Sequence, residues 1–477
     1  MTVGGSASHD LVDHPFCRDG KNRLTLRGTG LAGALVATAR KLYRKLPTSI
    51  SVVEAGEGVV FPSLWRVFTS HPQDEERLEV EFRHAVGILQ ATGAAAETVL
   101  YDAEVLPRGT RWPLVLEVVT GAPGGEEAEG IAAAVLCEWA AGRGWLGGAV
   151  ARGMGWIRLH ELRAYRLGSE HCTLWPRADL AWEGRLQGLE GQVAAIPAAD
   201  FGAQFTIPQP DREWWYMQVE GRLRAGEAES GYGMDGLSVG AHGSVLEWQQ
   251  WDTAALLPPE GIKKDVWSGD FKPDHAMMAG HCPGGGWELM IPGSTLRGVL
   301  RHALAARLRG AGEAVLDPNS PDGQQLNLRV RREGVSSEAV DRVAALFGSV
   351  SHSSPLLLRD AYLEQPAWQA VLLQHHAEDE FTAGVFESSK FNRLMLLDAV
   401  FSWGLMIEGG ERAAIEQAWD LLLPVLKIGA LGHLAVGGGV WRGAGWVRWE
   451  WENPVWVQAG EGLAGSGCTT AAVAREG

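Results

Sequence analysis

Cysteine is scarce in this chain: five in 477 residues (Cys17, Cys137, Cys172, Cys282 and Cys468), with no C-x-x-C pair among them. That scatter argues against a disulfide framework or a cysteine-rich zinc site and points to a reducing, cytoplasmic setting. Long apolar runs are also missing. No stretch of 18 apolar residues occurs, so no membrane span or membrane partner is expected. Met1 to Asp10 lacks the charged-then-apolar layout of a secretory signal. Positive charge is short as well: 42 Lys and Arg face 58 Asp and Glu, a net charge of −16. A uniformly basic nucleic-acid-binding surface is therefore excluded.

What basic charge there is lies in groups. Arg18, Lys21, Arg23 and Arg27 precede a Gly turn, and Arg40, Lys41, Arg44 and Lys45 end the helix that follows. Arg297, Arg301, Arg307 and Arg309 stripe a second helix. Acid gathers elsewhere, in Asp74-Glu75-Glu76, Glu126-Glu127 and Glu378-Asp379-Glu380. Such segregation suits a basic groove on an acidic body; arginines at helical spacing also suit a plain solvated face. Trp is abundant, at 21 residues. Trp441, Trp446, Trp449, Trp451 and Trp456 alternate as in a strand, so they read as strand residues before they read as base-stacking platforms.

The most informative feature is a repeat. Gly147-Gly148-Ala149-Val150-Ala151-Arg152-Gly153-Met154-Gly155-Trp156-Ile157-Arg158 returns as Gly437-Gly438-Gly439-Val440-Trp441-Arg442-Gly443-Ala444-Gly445-Trp446-Val447-Arg448. Leu26 to Leu35 is likewise similar to Ile291 to Leu300, and a short acidic signal precedes each: Asp13-His14-Pro15-Phe16 and Asp274-His275-Ala276-Met277. A fixed-offset repeat of this kind indicates two copies of one domain. Each copy runs from an Asp-His loop through a Gly turn into a helix and closes on a Gly-rich segment.

The spacing of apolar and breaking residues predicts strands at 24–27, 78–89, 99–105, 114–119 and 156–163, with a hairpin tip at 91–97. It predicts helices at 31–46 and 126–141. In the second copy it predicts strands at 215–224 and 445–451 and helices at 295–309 and 411–426. The order is strand–helix–strand–strand–helix–strand, so the expected fold class is α+β: two tandem ferredoxin-like (RRM-like, βαββαβ) domains with insertions. The expected boundaries are 1–167 and 211–457, with a connection at 168–210, an insertion at 225–288 and a disordered tail at 458–477. The first copy has no room for a first strand, so either that strand is missing or another segment supplies it.

These landmarks resemble the RAMP superfamily, the ferredoxin-like RNA-binding proteins of CRISPR effector complexes. The carrying motifs are Ile291-Pro292-Gly293-Ser294-Thr295-Leu296-Arg297-Gly298, the two G-G-x-x-x-R-G-x-G-W segments, Leu346-Phe347-Gly348, and the pattern from Arg83 through Thr92-Gly93-Ala94-Ala95, Tyr101 and Glu104 to Gly109. Within the superfamily the chain is most similar to the backbone subunits of type III effectors, here as a tandem fusion like those of the type III-D branch. The resemblance implies guide RNA, complementary target RNA and other type III subunits as partners.

It also implies site residues. Arg18, Arg27, Gly28, Gly30, Arg40, Arg152, Gly293, Ser294, Arg297, Arg301, His376 and Arg442 would contact RNA. A Gly turn opening a helix offers N–H groups and a positive dipole end to phosphate, though these glycines also fit plain tight turns. Ala32 stands where the family prefers Lys or Arg. The hairpin near 88–99 resembles the thumb that kinks guide RNA. Asp13-His14-Pro15-Phe16-Cys17-Arg18-Asp19 matches a D-x-P-[hydrophobic]-x-[KR]-D pattern, which makes Asp13 the candidate catalytic and metal-binding residue. Asp274 is its looser counterpart, with Asp252, Asp265 and Asp270 as competitors. Mg²⁺ or Mn²⁺ would be bound with the substrate, and cleavage would leave a 2′,3′-cyclic phosphate and a 5′-OH. His14 is a candidate proton shuttle, and Asp19 reads as a turn residue beside Gly20.

His375-His376-Ala377-Glu378-Asp379-Glu380 invites a metal reading, yet adjacent histidines share no face and no H-E-x-x-H spacing occurs. It aligns instead with Arg83-His84-Ala85 at the base of the first hairpin. Three functions compete with target cutting: a non-cutting scaffold of the same fold, a stand-alone guide-processing endoribonuclease using His as base, and a ferredoxin-like metalloenzyme built on the His375–Glu380 cluster.

Overall fold

The computed structural model describes residues 4, 12–50, 62–73, 75, 78, 80–171, 188–226, 237, 239, 275, 277–281, 287–333, 341–364, 369–376, 378, 381, 384–385 and 390–461. The first half holds α1 (Gly28–Leu42), β1 (Trp65–Val67), β2 (Glu81–Ile88), β3 (Ala95–Val105), β4 (Leu116–Val118), α2 (Gly125–Ala140), β5 (Gly144–Trp145), β6 (Arg152–Gly153) and β7 (Trp156–Ile157). A connection carries β8 (Arg163–Ala164), β9 (Ile196–Pro197) and the short helix α3 (Phe201–Gln204). The second half opens with β10 (Trp215–Ala225), β11 (Ala279–His281), β12 (Trp287–Ile291), α4 (Gly293–Gly310), α5 (Pro321–Glu333) and α6 (Arg342–Phe347). It continues through β13 (Leu356–Arg359), β14 (Ala361–Leu363), β15 (Gln369–His375), β16 (Phe391–Leu397) and β17 (Val400–Gly409). It closes with α7 (Arg412–Ala430), β18 (Leu434–Ala435), β19 (Trp446–Trp451) and β20 (Val455–Gln458).

The helices follow their apolar spacing. Leu31, Leu35 and Leu42 make the buried stripe of α1, and Leu296, Leu300, Leu304 and Leu308 that of α4. Gly28 opens α1 because nothing larger fits: a Cβ there would fall 2.2 Å from the Val67 carbonyl oxygen.

The second half is built on one antiparallel sheet in the order β11-β12-β14-β17-β10-β19-β18, with β13 also on β17 and β20 also on β10. Residues 356–358 of β13 and 403–407 of β17 are buried at every position, because both faces of the sheet are covered there. Met217, Val219, Leu356, Leu358, Leu405 and Ile407 face α4 and α7 in one core. Tyr216, Leu357 and Met406, which alternate with them, enter the core of the first half beside Leu35, Trp139 and Leu146.

The first half differs from the expected strand–helix–strand–strand–helix–strand order. Among its described residues the strands pair two by two, as β1–β4, β2–β3 and β5–β7, without a shared sheet. Leu24 and Leu26 form single bridges to Arg18 and Ser70 rather than a strand, and the strand expected over 156–163 shrinks to β7. The cause is the position of the first strand. In the second half β10 lies centrally, between β17 and β19. No described residue of the first half takes that place, so its remaining strands have no common partner, and the back of the second sheet closes its core instead.

The closing Gly-rich segment makes the remaining link. β6 pairs in parallel with β13, setting Arg152 against Leu358 and Gly153 against Arg359. Trp441 departs from the expected alternation: it lies in a short 3₁₀ turn over Val440–Arg442 and is 91% exposed.

Candidate nucleic-acid interface

In the first half the Asp13–Phe16 loop lies along β3. The His14 N–H donates to the Asp102 carbonyl at 2.9 Å, and the Glu104 N–H donates to the His14 carbonyl at 3.0 Å. Buried Phe16 anchors the loop by stacking on Trp112. Asp13 remains exposed, and its Oδ2 accepts the Asp102 N–H at 3.0 Å. The His14 ring meets Tyr101 edge-on at 5.4 Å, and Arg152 reaches the Tyr101 hydroxyl from the Gly-rich segment. Alternation turns Asp102 to the other face of β3, where it bonds His84 across the hairpin. His14, Tyr101 and Arg152 thus form one cluster, with Asp13 at its edge. Asp19 caps its own turn, accepting the Lys21 and Arg23 N–H groups at 2.8 and 3.0 Å. Those backbone bonds, Arg23 first, hold its carboxyl down at about 2.

The second half repeats the backbone bonds and the ring contacts of this arrangement. The His275 N–H donates to the Asn392 carbonyl at 3.1 Å, and the Leu394 N–H to the His275 carbonyl at 2.8 Å. The His275 ring meets Phe391 edge-on at 5.7 Å, and the Arg442 guanidinium lies 5.1 Å from the Phe391 ring. His275, Phe391, Asn392 and Arg442 therefore stand where His14, Tyr101, Asp102 and Arg152 stand. Asp274 lies outside the described residues, as do Asp252, Asp265 and Asp270. The strand pairing also corrects the hairpin alignment. His375 faces Phe391 and Ala85 faces Tyr101, so His375 matches Ala85, two residues from the match expected.

The other expected RNA contacts divide into groups. Arg152, Gly293, Arg297 and Arg301 meet at the junction of the halves. The Gly293 N–H at the start of α4 donates to Asp360 Oδ1 at 2.7 Å, so a carboxylate of the chain itself sits at this helix terminus. Arg297 donates to the Ala151 and Leu356 carbonyls at 3.3 and 3.0 Å and to the Phe347 carbonyl, tying the Gly-rich segment to the second half. Burial, then the Arg152 and Arg301 charges, push its pKa down to about 9. Ser294 and Arg301 are half-buried beside it. On α1, Gly28 is buried, whereas Arg27, Gly30 and Arg40 are exposed. Arg18 pairs with Glu104 at 3.1 Å, and His376 bonds Glu378 at 3.0 Å on an exposed segment.

The sequence had not singled out Asp102, Phe391 or Arg393, and it read His275 only as part of the Asp-His signal and His375 only as part of a metal-like cluster. The repeat carried their signal only in part. Their equivalence rests on hydrogen bonds between a loop and a hairpin that lie far apart in sequence, about 90 residues in one copy and 120 in the other.

Among the described residues no three His, Cys, Asp or Glu side chains group as metal ligands, and no helix is long and apolar enough to cross a membrane. Comparison with protein families matches the RAMP superfamily over residues 1–158 and 288–448. The chain belongs to the RAMP superfamily, with one match in each half. That membership supports a CRISPR-associated, RNA-binding function with RNA and CRISPR complex components as partners. A search of curated proteins finds no match.

Proposed function

We propose that the chain is a tandem backbone subunit of a type III CRISPR ribonucleoprotein, its halves ferredoxin-like RAMP domains that bind adjacent stretches of guide RNA. In this reading it cuts paired target RNA beside Asp13 and Asp274. The observation that carries it is the duplicated cluster, His14–Tyr101–Arg152 with Asp13 at its edge and His275–Phe391–Arg442, where Asp274 precedes His275 in sequence. Two equivalent sites are what two successive segments of one guide–target duplex need.

Chemically, Arg152 is placed to hold a phosphate oxygen, and His14 to take a proton from the attacking 2′-OH at a ring nitrogen. The target's own hydroxyl then forms the cyclic phosphate as the P–O5′ bond breaks, and the leaving 5′ oxygen takes a proton from water to become the 5′-OH. A divalent ion would stabilise charge on that phosphate. Exposed Asp13 suits the sparse carboxylate ligation that Mg²⁺ accepts when phosphate and water complete its shell. Base pairing, not protein, would read the sequence.

A non-cutting scaffold is the second reading. One contact favours it: the Asp13 carboxylate already bonds the Asp102 N–H. The test assembles the chain with guide RNA and neighbouring subunits, adds labelled complementary RNA and Mg²⁺, and compares wild type with Asp13→Ala, Asp274→Ala and the double variant. Each single variant is expected to lose one product with binding intact. Unchanged cleavage by the double variant would overturn the cutting assignment and leave the scaffold.

A further inference from the structure

The two clusters are built alike but charged differently. On the face of the second hairpin that carries Phe391, strand pairing also places His375 opposite it and Arg393 two residues on. The matching positions of the first hairpin are Ala85 and Ala103. The fold at this register therefore requires neither side chain. His375 stacks on Phe391 at 4.9 Å with 21° between the rings, and Arg442 covers the same ring. The Arg393 guanidinium lies against the Gly-rich segment, where a Cβ on Gly438 would fall 2.5 Å from its Nη1. The equivalent Gly148 has nothing within 4 Å.

Many described arginines of this acidic chain find carboxylates, among them Arg18, Arg83, Arg143, Arg222 and Arg359. Arg393, Arg442 and His375 do not. Among the described residues no carboxylate pairs with His375, Arg393 or Arg442, and the buried Arg393 Nε and His375 Nε2 bond no protein atom. Buried polar nitrogens are normally satisfied, so two unsatisfied ones in one cluster mark a site shaped for a partner from outside the chain.

We propose that His375, Arg393 and Arg442, floored by Phe391 and walled by Gly438–Gly439, form a binding site for a backbone phosphodiester of RNA, to which His375 and Arg393 contribute contacts that the first half lacks. Planar guanidinium forks beside a ring donor suit phosphate oxygens. Burial first, and then mutual repulsion with Arg442, push the pKa values of both Arg393 and His375 down, as an anion between them would reverse. The proposal rests on the RNA-binding reading but not on cutting.

The test is fluorescence anisotropy of the full-length chain with a labelled single-stranded RNA across a series of KCl concentrations. Arg393→Ala and His375→Ala install the residues of the first half, and Gly438→Ala displaces the guanidinium without removing charge. Each variant is expected to bind about tenfold more weakly, and Arg393→Ala to flatten the salt dependence by about 0.7, the share of one single-strand phosphate. Thermal melts check that each variant folds. If wild type binds and all three variants match it in affinity and slope, the pocket is no RNA site, while RNA binding by the chain stands. If wild type does not bind RNA, the RNA-binding reading fails and the proposal with it. Inorganic phosphate competing at the pocket, with RNA affinity indifferent to the variants, would assign it to a free anion and overturn the proposal.

Discussion

Asp360 shows how much one carboxylate can organise. It stands where the strand line breaks between β13 and β14, and its side chain is 5% exposed. Oδ1 takes the Gly293 N–H of the second half, and Oδ2 takes the Arg83 guanidinium of the first at 2.8 Å. Burial works against the Arg83 charge, and Asp360 is what restores it. Asp360→Ala would leave that cation buried and unpaired, at a cost of about 3–5 kcal/mol. Asp360→Ala with Arg83→Met removes both charges and is expected to recover much of the loss. Urea unfolding of the three proteins checks this, and equal losses in the single and double variants would refute it. The sequence showed Asp360 only as an acid in an apolar segment, because its partners lie 67 and 277 residues away. Arg297 was legible as important, from the Gly-Ser-Thr-Leu-Arg motif, yet its three carbonyl acceptors were not. A motif names a residue type at a position; whether it turns outward to phosphate or inward to the fold is decided by tertiary neighbours.

Elements divide in the same way. The helices expected at 31–46, 295–309 and 411–426 are found at Gly28–Leu42, Gly293–Gly310 and Arg412–Ala430. Helical periodicity and its stops are local, so a sequence displays them. Strands need partners, and in the first half the partner is the difference: β6 is two residues long and exists because β13 pairs with it. Gly153 makes that approach possible. Its φ is +94°, and a Cβ would sit 2.3 Å from Asp360 Oδ1. Gly153→Ala therefore strains the backbone and presses on the Asp360 bonds, for an expected loss of roughly 2 kcal/mol or more. Gly148→Ala, five residues earlier and unobstructed, is expected to change stability by less than about 0.5 kcal/mol. Denaturant midpoints compare the two. Similar midpoints would show that the β6–β13 junction does not depend on glycine.

Across the whole molecule the repeat is legible in the sequence, but the dependence of one half on the other is not. Two similar copies suggest two similar cores. The structure gives the second half a sheet of its own, whereas Tyr216, Leu357 and Met406 from that sheet's back complete the core of the first. Charge follows the same division. Lys41 of α1 reaches Glu408 of β17 at 2.6 Å beneath Trp145, whose ring centre is 3.8 Å away. Burial pushes its pKa down while Glu408 opposes the shift. Residues 1–210 expressed alone would expose their apolar floor and leave Lys41 without its carboxylate, so they are expected not to melt cooperatively. Residues 211–477 keep a sheet covered by α4 and α7 and are expected to melt cooperatively, with lower stability than the full chain. Mixing the fragments should restore the first half, because every group that completes it lies on an already folded surface. Circular dichroism melts of each fragment and of the mixture test this order of dependence. A cooperative melt from residues 1–210 alone would mean that the first half forms its own core, and that the shared sheet face is only a contact between two independent domains.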